Sequence, residues 1–374
     1  MSMKKLIFRK ITKDSMFFFL LLVLTLGAIV WVIQAVNYLD YVTEDGHGLK
    51  TYFLFTLYNF PKIIHRIVPF IFFITLFFIF INYELKNELL IFWTNGISKI
   101  NFANKILLIS LFLFVFQIFI GSFVSPLFQY KARTFLKNSD INFFTSLIKE
   151  GKFINIVDGL TIFIENKETN NTFTNIFIDD SSKVQKKMIY AKSGEIFDKD
   201  NQKIFRLFNG KVLNKDKFKV NIFEFEQIDF GLSNYSSNTI LAPKIQETST
   251  NQLYSCFIRL YNKEITNFQT QNFKCEKSVS DALNQELLKR FYKPLYIPII
   301  AIICCFLFLV PKNNYKFNKN RVKVFLTGFL IIILSESSLR YSTSSNVALS
   351  FYLIAPWVIF FTTYLYFYYK VKNV

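Results

Sequence analysis

Few residues in this chain could carry chemistry, and their spacing narrows what that chemistry is. Glu84 and Glu88 lie four apart within YELKNELLIFWTNGIS (residues 83–98), a separation that puts two carboxylates on one face of a helix, ready to meet a cation. Four cysteines fall in two pairs, Cys256 with Cys275 and the adjacent Cys304 and Cys305. The two histidines, His47 and His65, have no second ligand at metal spacing and read as membrane-surface residues. No G-x-x-x-x-G-K-[ST] loop cradles a phosphate and no G-x-S-x-G turn presents a nucleophile, so neither nucleotide hydrolysis nor acyl transfer is expected, and no cofactor is implied. A lipid-modifying enzyme would need ionisable groups inside its apolar segments, and Glu336 is the best such candidate.

The elements that hold these residues are long and apolar. Of 374 residues 52% are hydrophobic, with 48 Phe, more than a soluble core of this size needs. Residues 16–36 run for 21 residues without a charge, about 31 Å as a helix against a hydrocarbon core of about 30 Å. That run lacks a small-x-small cleavage site, so it reads as a retained span rather than a signal peptide. Five further spans are expected at 67–81, 106–127, 294–310, 322–334 and 347–369, the second beginning as early as Ile63 and the fifth running on through Ser335 to Ser338. With the N-terminus inside, the short inner segments carry fifteen Lys and Arg and the short outer loops only Lys50, Lys62, Arg66 and Arg340. Both termini and residues 83–98 are therefore expected in the cytoplasm. The formal charge of +18 does not gather in one aromatic-interleaved patch, which argues against nucleic acid as the partner.

Between the third and fourth spans, residues 128–293 change texture to short alternating runs. Strands are expected at 152–156, 160–165, 173–178, 188–191, 203–208 and 218–225, with turns at Asp158-Gly159, Ser193-Gly194 and Asn209-Gly210. An antiparallel meander, sandwich or jelly roll would follow, then a helix over 280–290. Cys256 and Cys275 fall in this outer domain, where an oxidising compartment permits a bridge, and two free buried thiols are the other reading. Cys304 and Cys305 read as small packing residues of the fourth span.

Residues 83–98 read as one short helix joining spans two and three. Leu89, Phe92 and Trp93 form an apolar side for the bilayer or another protein, Asn95-Gly96 stops the helix, and Ser98 caps the next. Here the layout resembles the LptF/LptG permease family of the lipopolysaccharide export transporter. Asn87-Glu88-Leu89 through Gly96-Ile97-Ser98 is similar to that family's S-E-L…G-[IV]-S signature, with Trp93 where an Arg is usual. Glu286 to Leu295, ELLKRFYKPL, resembles its E-x-H-x-R-x-x-x-P-L segment, with Leu288 in place of the His.

The resemblance implies six transmembrane helices with an inserted periplasmic all-β jellyroll-like domain at 128–293, flanked by spans 1–3 (1–127) and 4–6 (294–374). It implies a non-catalytic inner-membrane permease subunit, F-type by its first span, partnered by a homologous LptG-like chain, an LptB-like ATPase dimer, an LptC-like bridge, lipopolysaccharide and membrane lipids. Glu84, Glu88, Leu89, Trp93 and Gly96 would couple to the ATPase, and Gln34, Asn37, Phe325 and Phe329 would line the substrate path. A receptor or scaffold with a ligand-binding β-domain is the alternative, which would want an output domain that the short inner segments do not provide.

Overall fold

A computed structural model of the chain describes residues 3–39, 48–139, 150–157, 159–168, 172–181, 186–199, 202–215, 220–231, 244–262, 268–270 and 273–373. It divides into two compact units, one of Met1–Ile33, Tyr58–Tyr130 and Lys244–Val374, the other of Gln34–Leu57 and Lys131–Pro243. Of the expected insert of residues 128–293, residues 131–243 fall in the second unit and residues 244–293 in the first. Those last fifty residues are held to the helices through Arg290 and Thr250, as described below.

Six helical segments among the described residues are long and apolar enough to cross a bilayer, at every position the hydropathy indicates. They comprise α1 (Met3–Asn37), α2 (Leu49–Tyr58) with α3 (Phe60–Leu85), α5 (Lys99–Phe119) with α6 (Ser125–Ser139), α8 (Ser280–Phe291) with α9 (Tyr296–Cys305), α10 (Phe317–Tyr341) and α11 (Asn346–Lys372). Two shorter helices, α4 (Glu88–Thr94) and α7 (Thr250–Tyr261), stand outside these segments. The fourth span is the centre of the helical unit. Ile297, Ile299, Ile300, Cys304 and Cys305 are wholly buried, and α9 packs against α3, α5, α10 and α11. A helix apolar on every side suits either lipid or protein as its surroundings, and here protein fills them. Between α5 and α6 the helix widens into a π-turn, Ile120–Val124, in which Gly121 lies against the His65 ring so closely that a Cβ would fall 2.4 Å from it.

The other unit holds a six-stranded antiparallel sheet in simple sequence order: β1 (Lys152–Val157), β2 (Leu160–Lys167), β3 (Thr172–Asp180), β4 (Lys186–Lys199), β5 (Gln202–Lys215) and β6 (Val220–Gly231). Of the three arrangements the strand pattern allows, the described strands form the meander. Val157 pairs with Leu160, so the chain does reverse at 158–159, although Asp158 itself lies outside the described residues. The other two expected turns are not turns. Ser193-Gly194 lies inside β4 and Asn209-Gly210 inside β5, with ladder pairs on both sides.

The physical reason is a corner that the strands turn together. The register aligns Glu165, Asn175, Lys192, Asn209 and Glu226 in one row across β2 to β6. On crossing that row, inward residues step by three instead of two: Phe173 and Ile176, Ala191 and Gly194, Leu207 and Gly210, Phe225 and Ile228. In a flat strand such pairs point to opposite faces. Here both sides of the row pack into one core, so the strands bend there with the outward residues at the corner. Asn175 (φ 51°) and Asn209 (φ 49°) supply the left-handed backbone for it, and a Cβ at Gly210 would stand 2.1 Å from the Tyr190 carbonyl oxygen. A break in alternation looks the same in sequence whether the chain bends or ends.

Candidate functional site: the short helix between the second and third spans

Residues 83–98 form two helices rather than one. The second span continues as α3 to Leu85, Asn87 then takes a left-handed conformation (φ 60°), and α4 restarts at Glu88. Glu84 and Glu88 consequently belong to different helices, and the expected common face is broken. Seven residues are too few for a helix to persist by propensity, so α4 is held by its ends and its packing. At its C-terminus the Ile97 N–H donates to the Phe92 carbonyl and the Gly96 N–H to the Trp93 carbonyl, with Gly96 at φ 74° and both Ile97 and Phe92 buried. This is the Schellman arrangement, hydrophobic contact included. Ser98 Oγ then accepts from the Asn101 N–H, capping α5 as the sequence indicates.

Packing fixes which way α4 faces. Leu89 and Phe92 are buried in the chain's own core, and the Trp93 ring meets Phe102 edge-on at 5.5 Å and Phe308 at 5.8 Å. The expectation that Leu89, Phe92 and Trp93 would rest on lipid or a partner is therefore corrected, since they anchor α4 to the third and fourth spans. The half-buried position where Trp93 replaces the usual Arg is lined by phenylalanine rings and suits an indole. What α4 turns outward is Leu90 (60% exposed) and Ile91 (54%), with Leu85 beside them (51%).

The carboxylates are engaged within the chain. Lys10 Nζ, on α1, donates to Glu88 and also stands 5.6 Å from the Tyr83 ring centroid, while the Tyr83 hydroxyl donates to Asp14 at 2.7 Å. Glu84 Oε1 accepts the Lys312 backbone N–H at 2.8 Å, and Lys312 Nζ reaches the Leu85 carbonyl. One end of the helical unit is thus laced together through Lys10, Asp14, Tyr83, Glu84, Glu88 and Lys312. The pairing of α4 with the first span carries no signal in the spacing of its own motif.

The remaining expected site residues scatter. Phe325 packs on Phe73 and Phe77 (5.7 and 5.3 Å between centroids) and Phe329 stacks on Phe325, where Gly328 lets the Phe73 ring approach α10 to within 2.2 Å of a built Cβ. Gln34 has a buried, unpartnered Oε1, and Asn37 is exposed at the end of α1. Glu336 is ion-paired with Lys293. His65 lies within α3 and packs against the π-turn, and His47 lies outside the described residues. Cys304 and Cys305 are free and buried, as expected of packing residues. Cys256 and Cys275 are joined, with Cα atoms 5.9 Å apart, and the bridge fastens α7 to the short hairpin of β7 (Phe268–Thr270) and β8 (Phe273–Cys275).

Arg290 has a larger structural part than its sequence motif announces. Its side chain is 1% exposed and donates to Glu286 Oε1 (3.0 Å), the carbonyls of Gln246 and Thr248 (both 3.1 Å) and Thr250 Oγ1 (2.9 Å). Thr250 Oγ1 in turn donates to the Ser122 carbonyl in the π-turn. A buried guanidinium with four acceptors locks the segment before α7 to the third and fourth spans.

Six bilayer-length helices, a separate antiparallel sheet and a short helix clasped between two spans define a multi-pass membrane protein. A sequence model of the lipopolysaccharide export system permease LptF/LptG family matches residues 9–370, and the chain belongs to that family. It is 23% identical over 347 residues to the uncharacterized protein RP871 of Rickettsia prowazekii (strain Madrid E), covering 92% of this chain and 90% of that one.

Proposed function

We propose that the chain is the F-type half of a lipopolysaccharide-exporting ABC permease in the inner membrane. It pairs with a homologous LptG-like chain, is driven by an LptB-like ATPase dimer, and hands lipopolysaccharide from the membrane to an LptC-like periplasmic bridge. Family membership supports this reading, and the geometry of α4 carries it. A seven-residue helix clamped by its inner face to the third and fourth spans, and by Glu88 to the first, turns Leu85, Leu90 and Ile91 outward. Such a patch transmits a push from a docked ATPase to three spans at once. The basic residues that outnumber those of the outer loops put α4 and both termini in the cytoplasm and the sheet in the periplasm. The bent sheet, which encloses one core between its two arms, is compatible with a jellyroll-like slide for acyl chains. Gln34, Asn37, Phe325 and Phe329 are the substrate-path residues of this reading.

Co-purification tests it. A tagged chain is expected to bring down a homologous six-span protein and a P-loop ATPase, and Leu90→Asp with Ile91→Asp to lose the ATPase while keeping the homologue. Recovery of neither protein with the wild-type chain overturns the proposal.

A further inference from the structure

The helical unit has a groove of about 670 Å³ between α5, α9 and α11, walled by Leu108, Leu111, Pro298, Pro356 and Trp357, that none of the residues above uses. Its lining is apolar apart from one end. The Trp357 indole N–H is satisfied by the Tyr292 hydroxyl at 2.9 Å, so that wall offers nothing polar to a ligand. At the other end the Tyr364 hydroxyl donates to Asn104 Oδ1 at 3.2 Å, which uses the amide's acceptor and leaves its donors for a ligand. From Asn104 to Phe114 the groove follows α5 for ten residues, about 15 Å at 1.5 Å per residue, or roughly one leaflet of a 30 Å hydrocarbon core. Lys99 and Lys105 on α5 and Lys370 and Lys372 on α11 stand at the Asn104 end, and neither helix contains an acidic residue.

We infer that this groove is a binding site for one bilayer phospholipid with an anionic headgroup. One acyl chain lies along Leu108 and Leu111, and the headgroup meets Asn104 and the lysines. The match is of shape and polarity together: an apolar slot one leaflet long, closed by donors and positive charge at a single end. Buried apolar contact holds the chain, and the cations select the headgroup. The inference rests on these helices spanning a bilayer and is independent of what the protein exports.

A photoreactive residue at Leu108, which is 58% exposed, tests it in the full chain within its native membrane. The expected product is an adduct of phospholipid mass, enriched in phosphatidylglycerol over phosphatidylethanolamine relative to the surrounding membrane. Leu111→Trp, at a position already facing outward, should cut the adduct about tenfold, the factor that a mild overpacking penalty produces. Replacing Lys370 and Lys372 with Ala should weaken the headgroup preference and leave the protein folded. An adduct to another polypeptide would show that the groove seats a neighbouring helix and overturn the proposal. So would an adduct that follows bulk lipid composition and ignores Leu111→Trp, or no adduct at all. Lipid capture is read without the ATPase, so its failure is distinct from a failure of export.

Discussion

At the scale of single residues, the fate of Glu88 decides how α4 is read. Its pair with Lys10 has side chains 21% and 49% exposed, so within the chain alone it contributes at most about 1 kcal/mol. Glu88→Ala should therefore leave insertion and thermal stability nearly unchanged. If Glu88 is also desolvated against an ATPase arginine, the same change costs about 2 to 5 kcal/mol of association or uncouples hydrolysis from export. Comparing Lys10→Ala, Glu88→Ala and the double variant by ATPase binding separates the two roles: equal losses from both single variants point to the clasp, and a loss from Glu88→Ala alone to the partner. Arg290 gives the opposite pattern. Arg290→Met leaves Glu286 with Lys289 alone and strands the buried Thr248 carbonyl, and should destabilise the protein by about 2 to 4 kcal/mol in thermal unfolding. Arg290→Lys should restore little, because an ammonium cannot reach four acceptors spread around a planar fork. The sequence displays Glu88 and Arg290 through their motifs but not their partners Lys10 and Thr248, which lie 78 and 42 residues away.

At the scale of elements, the sheet corner and α4 show why some features are legible in the sequence and others are not. Hydropathy locates all six spans because an apolar run of bilayer length suits little besides a membrane. Period-two alternation locates the strands but cuts β4 and β5 short, since a three-residue inward step at Lys192 and Asn209 imitates a strand end. The outward side of α4 escapes it for a related reason: composition says that Leu89, Phe92 and Trp93 avoid water, not whether lipid, a partner or the chain itself covers them. The corner is testable. Gly210→Ala drives a Cβ into the Tyr190 carbonyl, which cannot swing aside as a side chain would, and should cost about 1 to 3 kcal/mol. Lys192→Ala, exposed in the same row, should stay within about 0.5 kcal/mol by the same unfolding measurement.

At the scale of the whole molecule, orientation is the property that most needs a direct measurement. An impermeant thiol reagent applied to spheroplasts is expected to modify a cysteine placed at Asn170 and to spare one at Asn314, and the reverse pattern would invert every assignment of sides. The native cysteines give little background, since Cys256 and Cys275 are bonded to each other and Cys304 and Cys305 are buried. The burial of the fourth span also has a bearing on how the protein is made. The residues that enclose α9, Phe73 and Phe80 on α3 and Ile106 and Ile109 on α5, are synthesised well before it. Between Phe119 and Leu309 a ribosome adds about 190 residues, which takes roughly ten to forty seconds at ordinary rates. For that interval the first three helices lack the α9 residues they pack on, and their final packing waits until most of the chain has been translated. A chain arrested before residue 296 should accordingly insert normally and yet remain open to proteases and to quality control, with the order of synthesis rather than the strength of any contact setting when the membrane unit closes.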